Sequence, residues 1–181
     1  MIEIESDRLI LIPLDHRLLS VWFEKGRLPM TEQLKLNQSI WETEPIFEAE
    51  TNDALENFWL PQTKNFPDNF FWYTNWEIVL KSENVSIGGI GFAGYPDEGK
   101  TQIGYFIDKK YRNLGCATEA LIALLDWGFM DPALKTVLAD TDKENLDSQK
   151  VLIKNGFSCF GEGQVEHTQT MQVFHWEKNR P

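Results

Sequence analysis

The chain has 181 residues, 42% of them hydrophobic, with seven Trp and twelve Phe. Residues 1–181 suit one domain, long enough to bury roughly two thirds of its unfolded surface, and the composition argues against disorder. A net charge of −11, with no basic cluster longer than 108–112, excludes nucleic acid as a partner; such a surface draws cationic amines or basic peptides, or serves solubility alone.

Arg8–Leu14 alternates and is rich in β-formers, so it reads as a strand that Pro13 ends or places at an edge. Asp15 caps a helix through about Lys25. A second short helix is expected over Thr31–Trp41. A third is capped by Thr51, carries Leu55, Phe58 and Trp59, and is disturbed near Gln62 by Pro61. Asn65–Asn75 reads as a loop rich in rings. Trp76–Leu80, Val85–Phe92 and Thr101–Ile107 read as a strand meander, with turns at Ser82-Glu83-Asn84 and Tyr95–Lys100. The period then becomes helical, with Ala117, Leu121, Leu124, Leu125 and Gly128 leading to Phe129 before Asp131-Pro132 stops it. Lys135–Ala139 is a strand, Asn145–Lys154 a helix stopped by Asn155-Gly156, and Phe157–Gly161 with Met171–Trp176 a closing hairpin. A meander followed by strand–helix units predicts an α/β (α+β) fold on a mixed sheet.

Two cysteines, Cys116 and Cys159, fit neither a zinc site nor a disulfide framework, so no metal is expected and the cytoplasm is the expected location. Met1–Glu5 resembles no leader, and no run of eighteen apolar residues is present, so no membrane partner is expected. Of the histidines, His16 and His167 fall in segments expected to be exposed. His175, on the last strand, either packs structurally or lines a groove.

The segment that carries chemistry is Arg112-Asn113-Leu114-Gly115-Cys116-Ala117, between a strand and a long helix. The first turn of a helix has unpaired N–H groups and a partial positive charge, which suit a pyrophosphate. Gly115 permits close backbone approach, Ala117 keeps the turn small, and Arg112 adds a fixed cation. It is neither a Walker loop nor a dinucleotide fingerprint, because the required Lys and further glycines are missing. By itself the six-residue pattern arises by chance on the order of 0.2 times in such a chain, so its setting matters more than its letters.

Residues 101–127 resemble motif A of the GCN5-related N-acetyltransferase (GNAT) superfamily. Asn145-x-x-Ser148 followed by Lys154-Asn155-Gly156-Phe157 resembles its motif B, and the meander with Ile87-Gly88 also fits. The nearest branch is that of the ribosomal-protein N-terminal acetyltransferases (RimJ/RimL-like). The resemblance covers roughly residues 5–178. It implies a central sheet of about seven strands, splayed at the cofactor site and flanked by helices. It also implies acetyl-CoA as co-substrate and direct transfer of its acetyl group, in a ternary complex, to a primary amine. That amine is a protein N-terminus or a small molecule such as an aminoglycoside or polyamine. A non-catalytic acyl-CoA-binding or sensing module on the same fold is the alternative.

The resemblance places pantetheine against the backbone of Tyr105, Phe106 and Ile107. It places pyrophosphate on Arg112, Asn113, Leu114, Gly115, Cys116, Ala117 and Thr118, with Asn145 and Lys154 also on the cofactor. Thr118 either adds its hydroxyl there or bonds its own helix, and Asn145 contacts the cofactor or caps its helix. The Tyr that many relatives use to protonate the leaving thiolate is replaced by Leu152, so Ser148 is the candidate catalytic donor. Where relatives often carry a Glu base, this chain has Gln102, placed here on the acceptor side. Asp140, Asp142 and Glu119 remain as bases, Glu119 more naturally supporting the loop. Without a strong base, an α-amine, about 14% neutral at pH 7, is favoured over Lys at about 0.04%. Trp22, Trp41, Trp72 and Tyr73 are candidate acceptor-pocket residues, or core. The chain is expected to be a monomer or homodimer.

Overall fold

The computed structural model describes residues 2–164 and 172–181. Its strands are β1 (Ile4–Glu5), β2 (Leu9–Pro13), β3 (Trp76–Leu80), β4 (Val85–Phe92), β5 (Lys100–Ile107), β6 (Thr136–Asp142), β7 (Ser158–Gln164) and β8 (Gln172–Asn179). They join in one sheet of order β1-β2-β3-β4-β5-β6-β8-β7. The sheet has eight strands rather than about seven. The extra one, β1, is too short to show an alternating pattern in sequence. Pro13 ends β2 opposite Trp76, beyond the residues that pair with β1. The hairpin of β7 and β8 was expected; its tip, with His167 and Met171, lies outside the described residues.

The helices are α1 (His16–Lys25), α2 (Arg27–Gln33), α3 (Pro45–Ala54), α4 (Leu60–Asn65), α5 (Cys116–Gly128) and α6 (Leu146–Lys154). Asp15 caps α1 as expected, accepting from the Leu18 N–H at 2.8 Å. The second helix differs: it spans 27–33, not 31–41. Gly26, at φ +88°, turns the chain between two abutting helices. Pro29 falls in the first turn of α2, where a missing N–H costs nothing. The third helix begins at Pro45, not Thr51, and continues through a π-helical turn at Leu55–Trp59 into α4. That wide turn immediately precedes Leu60-Pro61, where proline has no N–H to give a regular ladder. The ring-rich stretch holds a 3₁₀ helix, Pro67–Trp72.

One core lies where α5 and α6 pack on the sheet, with Trp76, Ile87, Ile103, Leu121, Leu124, Val137 and Leu152 buried. A second, under α1, gathers Leu14, Leu18, Leu19, Trp22, Met30 and Leu55. Between the sheet and α2 sits a buried polar knot. Glu77 is fully buried, Arg27 Nη2 reaches its Oε2 at 2.6 Å, and Asn75 donates to Oε1 at 3.1 Å. Ser86 donates to Oε2 as well, and the Arg27 guanidinium lies over the Trp41 ring.

A charge inside a low-dielectric core is tolerated only with its partner in place. Arg27→Leu therefore strands the Glu77 carboxylate and should cost about 3–5 kcal/mol in urea unfolding. A loss below about 1 kcal/mol would show that the knot contributes little.

Candidate active site

The feature that makes the site is an interrupted ladder. β5 and β6 are parallel neighbours, but they pair only at Lys100–Thr136, Thr101–Val137 and Gln102–Leu138. Beyond Gln102 they separate as expected, while β5 keeps β4 on its other edge, from Gly88–Ile107 to Phe92–Ile103. A cleft of about 950 Å³ opens in the gap. Its walls are residues 103–107, residues 139–142, the first turn of α5 and one face of α6. That volume is at the upper end for small-ligand sites.

The loop above the cleft is built for an anion. Gly115, at φ +80°, starts α5 with no side chain capping it, so the first-turn N–H groups of Cys116, Ala117 and Thr118 have no intrahelical acceptor. Asn113, at φ +61°, makes the preceding turn. The loop is pinned from behind. Glu119 accepts from Ser6 Oγ at 2.7 Å, the Arg8 N–H at 2.8 Å and Arg8 Nε at 2.7 Å; Arg8 Nη1 holds the Leu114 carbonyl at 2.9 Å. Burial works to raise the Glu119 carboxyl, but these bonds outweigh it and hold it below the usual range. Glu119 thus supports the loop from behind, with both oxygens turned to Ser6 and Arg8. The Cys116 side chain is buried, and burial pushes its thiol up.

Arg112 lines the cleft as expected of its position, but its guanidinium is engaged: it grips Glu44 in a two-pronged pair, both distances 2.7 Å, and its Nε holds the Ile107 carbonyl at 2.9 Å. Lys109 also approaches Glu44 (3.7 Å), and Lys110 approaches Glu42 (3.2 Å). The residues just before α3 thereby neutralise the basic segment.

α6 brings the next groups. Asn145 caps it, accepting from the Ser148 N–H at 3.1 Å, and still lines the cleft. Ser148 Oγ lies 2.9 Å from the Tyr105 hydroxyl, which also reaches the Ser148 carbonyl at 3.2 Å. Burial pushes the Tyr105 hydroxyl up to about 12, against the lowering effect of Ser148, so it stays a neutral donor. This pair was missed in the sequence, where Tyr105 was read for its backbone alone. Leu152 is fully buried in the cleft wall, and Lys154 and Thr118 also line the cleft.

On the other wall, Gln102 Nε2 donates to Asp140 Oδ2 at 3.2 Å, and His175 Nδ1 lies 2.7 Å from Asp140 Oδ1. β6 runs three residues past its expected end at Ala139, which is why Asp140 is on a strand at all. Two aromatic expectations are corrected. Trp72 is core, 2% exposed, packed on Phe92 and Trp127. Tyr73 stacks on Phe66 with centroids 4.7 Å apart and does not line the cleft. Trp22 is buried against Trp41 and Trp59 and borders a separate hollow of about 630 Å³. The rings on the cleft lip are instead Phe47, Phe58 and Trp59, from α3 and the π turn. Among the described residues no group of three or more His, Cys, Asp or Glu is placed to hold a metal ion, and no helix is long and apolar enough to cross a membrane.

The hydrogen bonds of Arg112 hold the Glu44 carboxyl at about 2 against burial, with a backbone bond at Glu44 and then the charge of Arg112 adding to them. A depressed carboxyl stabilises above its unfolded value and loses that contribution as pH falls toward the folded one. Both side chains are about a third exposed, so the pair is worth about 1 kcal/mol after screening. Glu44→Gln should therefore be less stable than wild type by that amount at pH 7 in denaturant melts, with the gap narrowing below about pH 4.5. A gap that stays constant from pH 7 to pH 3 would contradict the pairing.

Comparison with known proteins agrees with this geometry. Residues 8–158 match the model of a family described as the acetyltransferase (GNAT) domain. A Bacillus subtilis (strain 168) protein described as the uncharacterized N-acetyltransferase YjdG is 31% identical over 177 residues, covering 97% of each chain. Among solved structures, the ribosomal-protein-S5-alanine acetyltransferase of Vibrio fischeri superposes with a TM-score of 0.68 at 17% identity, covering 99% of this chain and 97% of that one. RimL, a ribosomal L7/L12 alpha-N-protein acetyltransferase solved in complex with coenzyme A, gives 0.66 at 18% identity, covering 98% of each.

Proposed function

The chain belongs to the GNAT family and is an N-acetyltransferase, and from that premise we propose that it takes acetyl-CoA into the gap between β5 and β6 and passes the acetyl group directly to a primary amine in a ternary complex. The observation that carries this reading is the ladder that stops at Gln102–Leu138 beside an uncapped helix start. The residues present fit the co-substrate. The amides of Leu114, Gly115, Cys116, Ala117 and Thr118 suit its pyrophosphate, with the Thr118 hydroxyl beside them. The open edge of β5, at Tyr105 and Ile107, offers backbone groups to the pantetheine amides as an added strand would, while Phe106 between them directs its own to β4. Asn113, Asn145 and Lys154 border the same space, while Arg112 acts by fixing the loop to Glu44. What acetyl-CoA supplies is an acyl group activated as a thioester.

Ser148, backed by the Tyr105 hydroxyl, is the donor for the departing thiolate. One of the two hydroxyl protons spans the pair and the other stays free to be donated, in the place where Leu152 offers nothing. The acceptor approaches the opposite wall, where Gln102 stands and where Glu50, Asp140, Asp142 and Glu144 border the cleft. That acidity suits a cationic amine. The low pKa of an α-amine, and the α-N-protein activity named for RimL, favour a protein N-terminus as acceptor. A small polyamine would meet the same charges and is the second reading. The non-catalytic alternative gains no support, since the relatives reported above are all described as acetyltransferases. The two free cysteines suit a reducing compartment such as the cytoplasm.

Two measurements test this. Calorimetry should show CoA binding that weakens about tenfold in Gly115→Ala, since an L-residue at this φ costs roughly 1–2 kcal/mol. With acetyl-CoA and free-amine peptides or polyamines, thiol release should fall at least tenfold in Ser148→Ala and in Tyr105→Phe, with CoA affinity unchanged. A wild-type chain that bound CoA but acetylated neither class would contradict the enzymatic reading.

A further inference from the structure

Three strands contribute one polar side chain each to a single point on the acceptor wall: Gln102 from β5, Asp140 from β6 and His175 from β8. Gln102 is opposite Leu138 in the last rung of the ladder, and Asp140 is two residues further along β6. Side chains alternate along a strand, so Gln102 and Asp140 share a face, and Asp140 stands just where the strands part. Its carboxylate accepts one bond on each oxygen, from Gln102 at 3.2 Å and from His175 at 2.7 Å. A carboxylate has about four acceptor positions, and this side chain is 38% exposed, so lone pairs remain directed to the cleft that Asp140 lines.

An exposed pair of this kind adds little to stability, which leaves the convergence of three polar groups at the cleft unexplained by folding alone. Of the neighbouring carboxylates, Glu119 and Glu44 are committed to arginines, and Asp142 and Glu144 are aimed by no side chain among the described residues. Asp142 Oδ1 takes the Glu144 N–H at 2.7 Å. Glu50 borders the cleft from α3, but among the described residues no hydrogen bond fixes its direction.

We infer that Asp140 receives the proton of the acceptor ammonium, with Gln102 and His175 as positioning residues that aim its carboxylate. The assignment rests on the N-acetyltransferase reading above. In the step, the ammonium gives one proton to Asp140, directly or through one water, and the freed amine lone pair forms the N–C bond to the acetyl carbon as the C–S bond breaks. The second proton lost by nitrogen accompanies the thiolate to the Ser148 side, leaving a free thiol, and Asp140 returns its proton to solvent. His175 does not itself take the proton. With Nδ1–H given to Asp140, its Nε2 faces β7, where a Cβ on Gly163 would come within 2.5 Å, and Phe160 stacks on the ring. Gly163 makes room for the imidazole in that orientation.

The test uses the full chain with acetyl-CoA and a panel of peptide amides bearing free or acetylated N-termini, followed by thiol release and by calorimetry with CoA. Asp140→Asn keeps the shape and removes the base. It should lower kcat at least a hundredfold while the Kd for CoA changes less than twofold. Gln102→Glu combined with Asp140→Asn exchanges donor and acceptor across the same hydrogen bond, and should recover at least a tenth of the lost rate. His175→Ala should lower kcat about five- to tenfold without moving the KM for acetyl-CoA, and His175→Asn, which keeps an N–H donor, should recover part of it. Wild-type rate in Asp140→Asn, or a large loss in Glu50→Gln with Asp140→Asn near wild type, overturns the assignment and leaves the proposed function intact. A wild type that binds no CoA or acetylates no amine overturns both.

Discussion

A parallel ladder that begins and then stops imposes a debt of unpaired backbone groups, and the site follows from it. Each peptide N–H and C=O shut away from water needs a partner, at about 1–3 kcal/mol for one left unmade. After Gln102–Leu138 the facing edges of 103–107 and 139–142 have no strand to answer them. They stay open because other contacts hold the two strands in place. β4 secures the far edge of β5 from Ile103 to Ile107, and β8 pairs with β6 from Thr136 to Asp142. α5 and α6 close one face, with Leu121, Leu124 and Leu152 in the core and the Tyr105–Ser148 bond joining β5 to α6 across the opening. The gap is thus a stable part of the fold, already shaped for an extended, amide-bearing chain.

Electrostatics are arranged around the same gap in an unexpected way. Side-chain cations would be the obvious means for a chain of net charge −11 to attract an anionic co-substrate. Here Lys109, Lys110 and Arg112 each face a carboxylate, Glu44 or Glu42. In the proposed complex the attraction falls chiefly to the amides at the start of α5, which are fixed dipoles and need no reorganisation, with Lys154 at the border of the cleft. Arg8 and Glu119 hold that turn from behind. Binding by backbone makes the shape of the loop, and so the αL geometry of Gly115, more consequential than any one charge.

Much of this was legible in the sequence where the determinants were local. The change from period 2 to period 3.6 after Ile107, the glycine at the head of α5 and the Asn145 cap all follow from neighbours in the chain. What could not be read were pairs joined only by the fold. Glu44 meets Arg112 across 68 residues, Tyr105 meets Ser148 across 43, and Asp140 meets His175 across 35. Arg112 therefore looked free, and Tyr105 looked like backbone alone. Between Gly26 and Gln62 the rhythm is set by Gly26, Pro45 and a π turn, so both helix boundaries shift. In Pro67–Tyr73 the abundance of rings was plain, but direction was not, and Trp72 turned into the core.

The central claim is that the first-turn amides of α5 hold the phosphates of acetyl-CoA while the edge of β5 holds its arm. Amide NMR shifts during titration with acetyl-CoA test it most directly, with pantetheine lacking phosphates as the comparison. Acetyl-CoA should move the amides of Gly115, Cys116, Ala117 and Thr118 most strongly, together with those of residues 105–107, and pantetheine should move only the latter. Saturable binding that left residues 115–118 unmoved would contradict it.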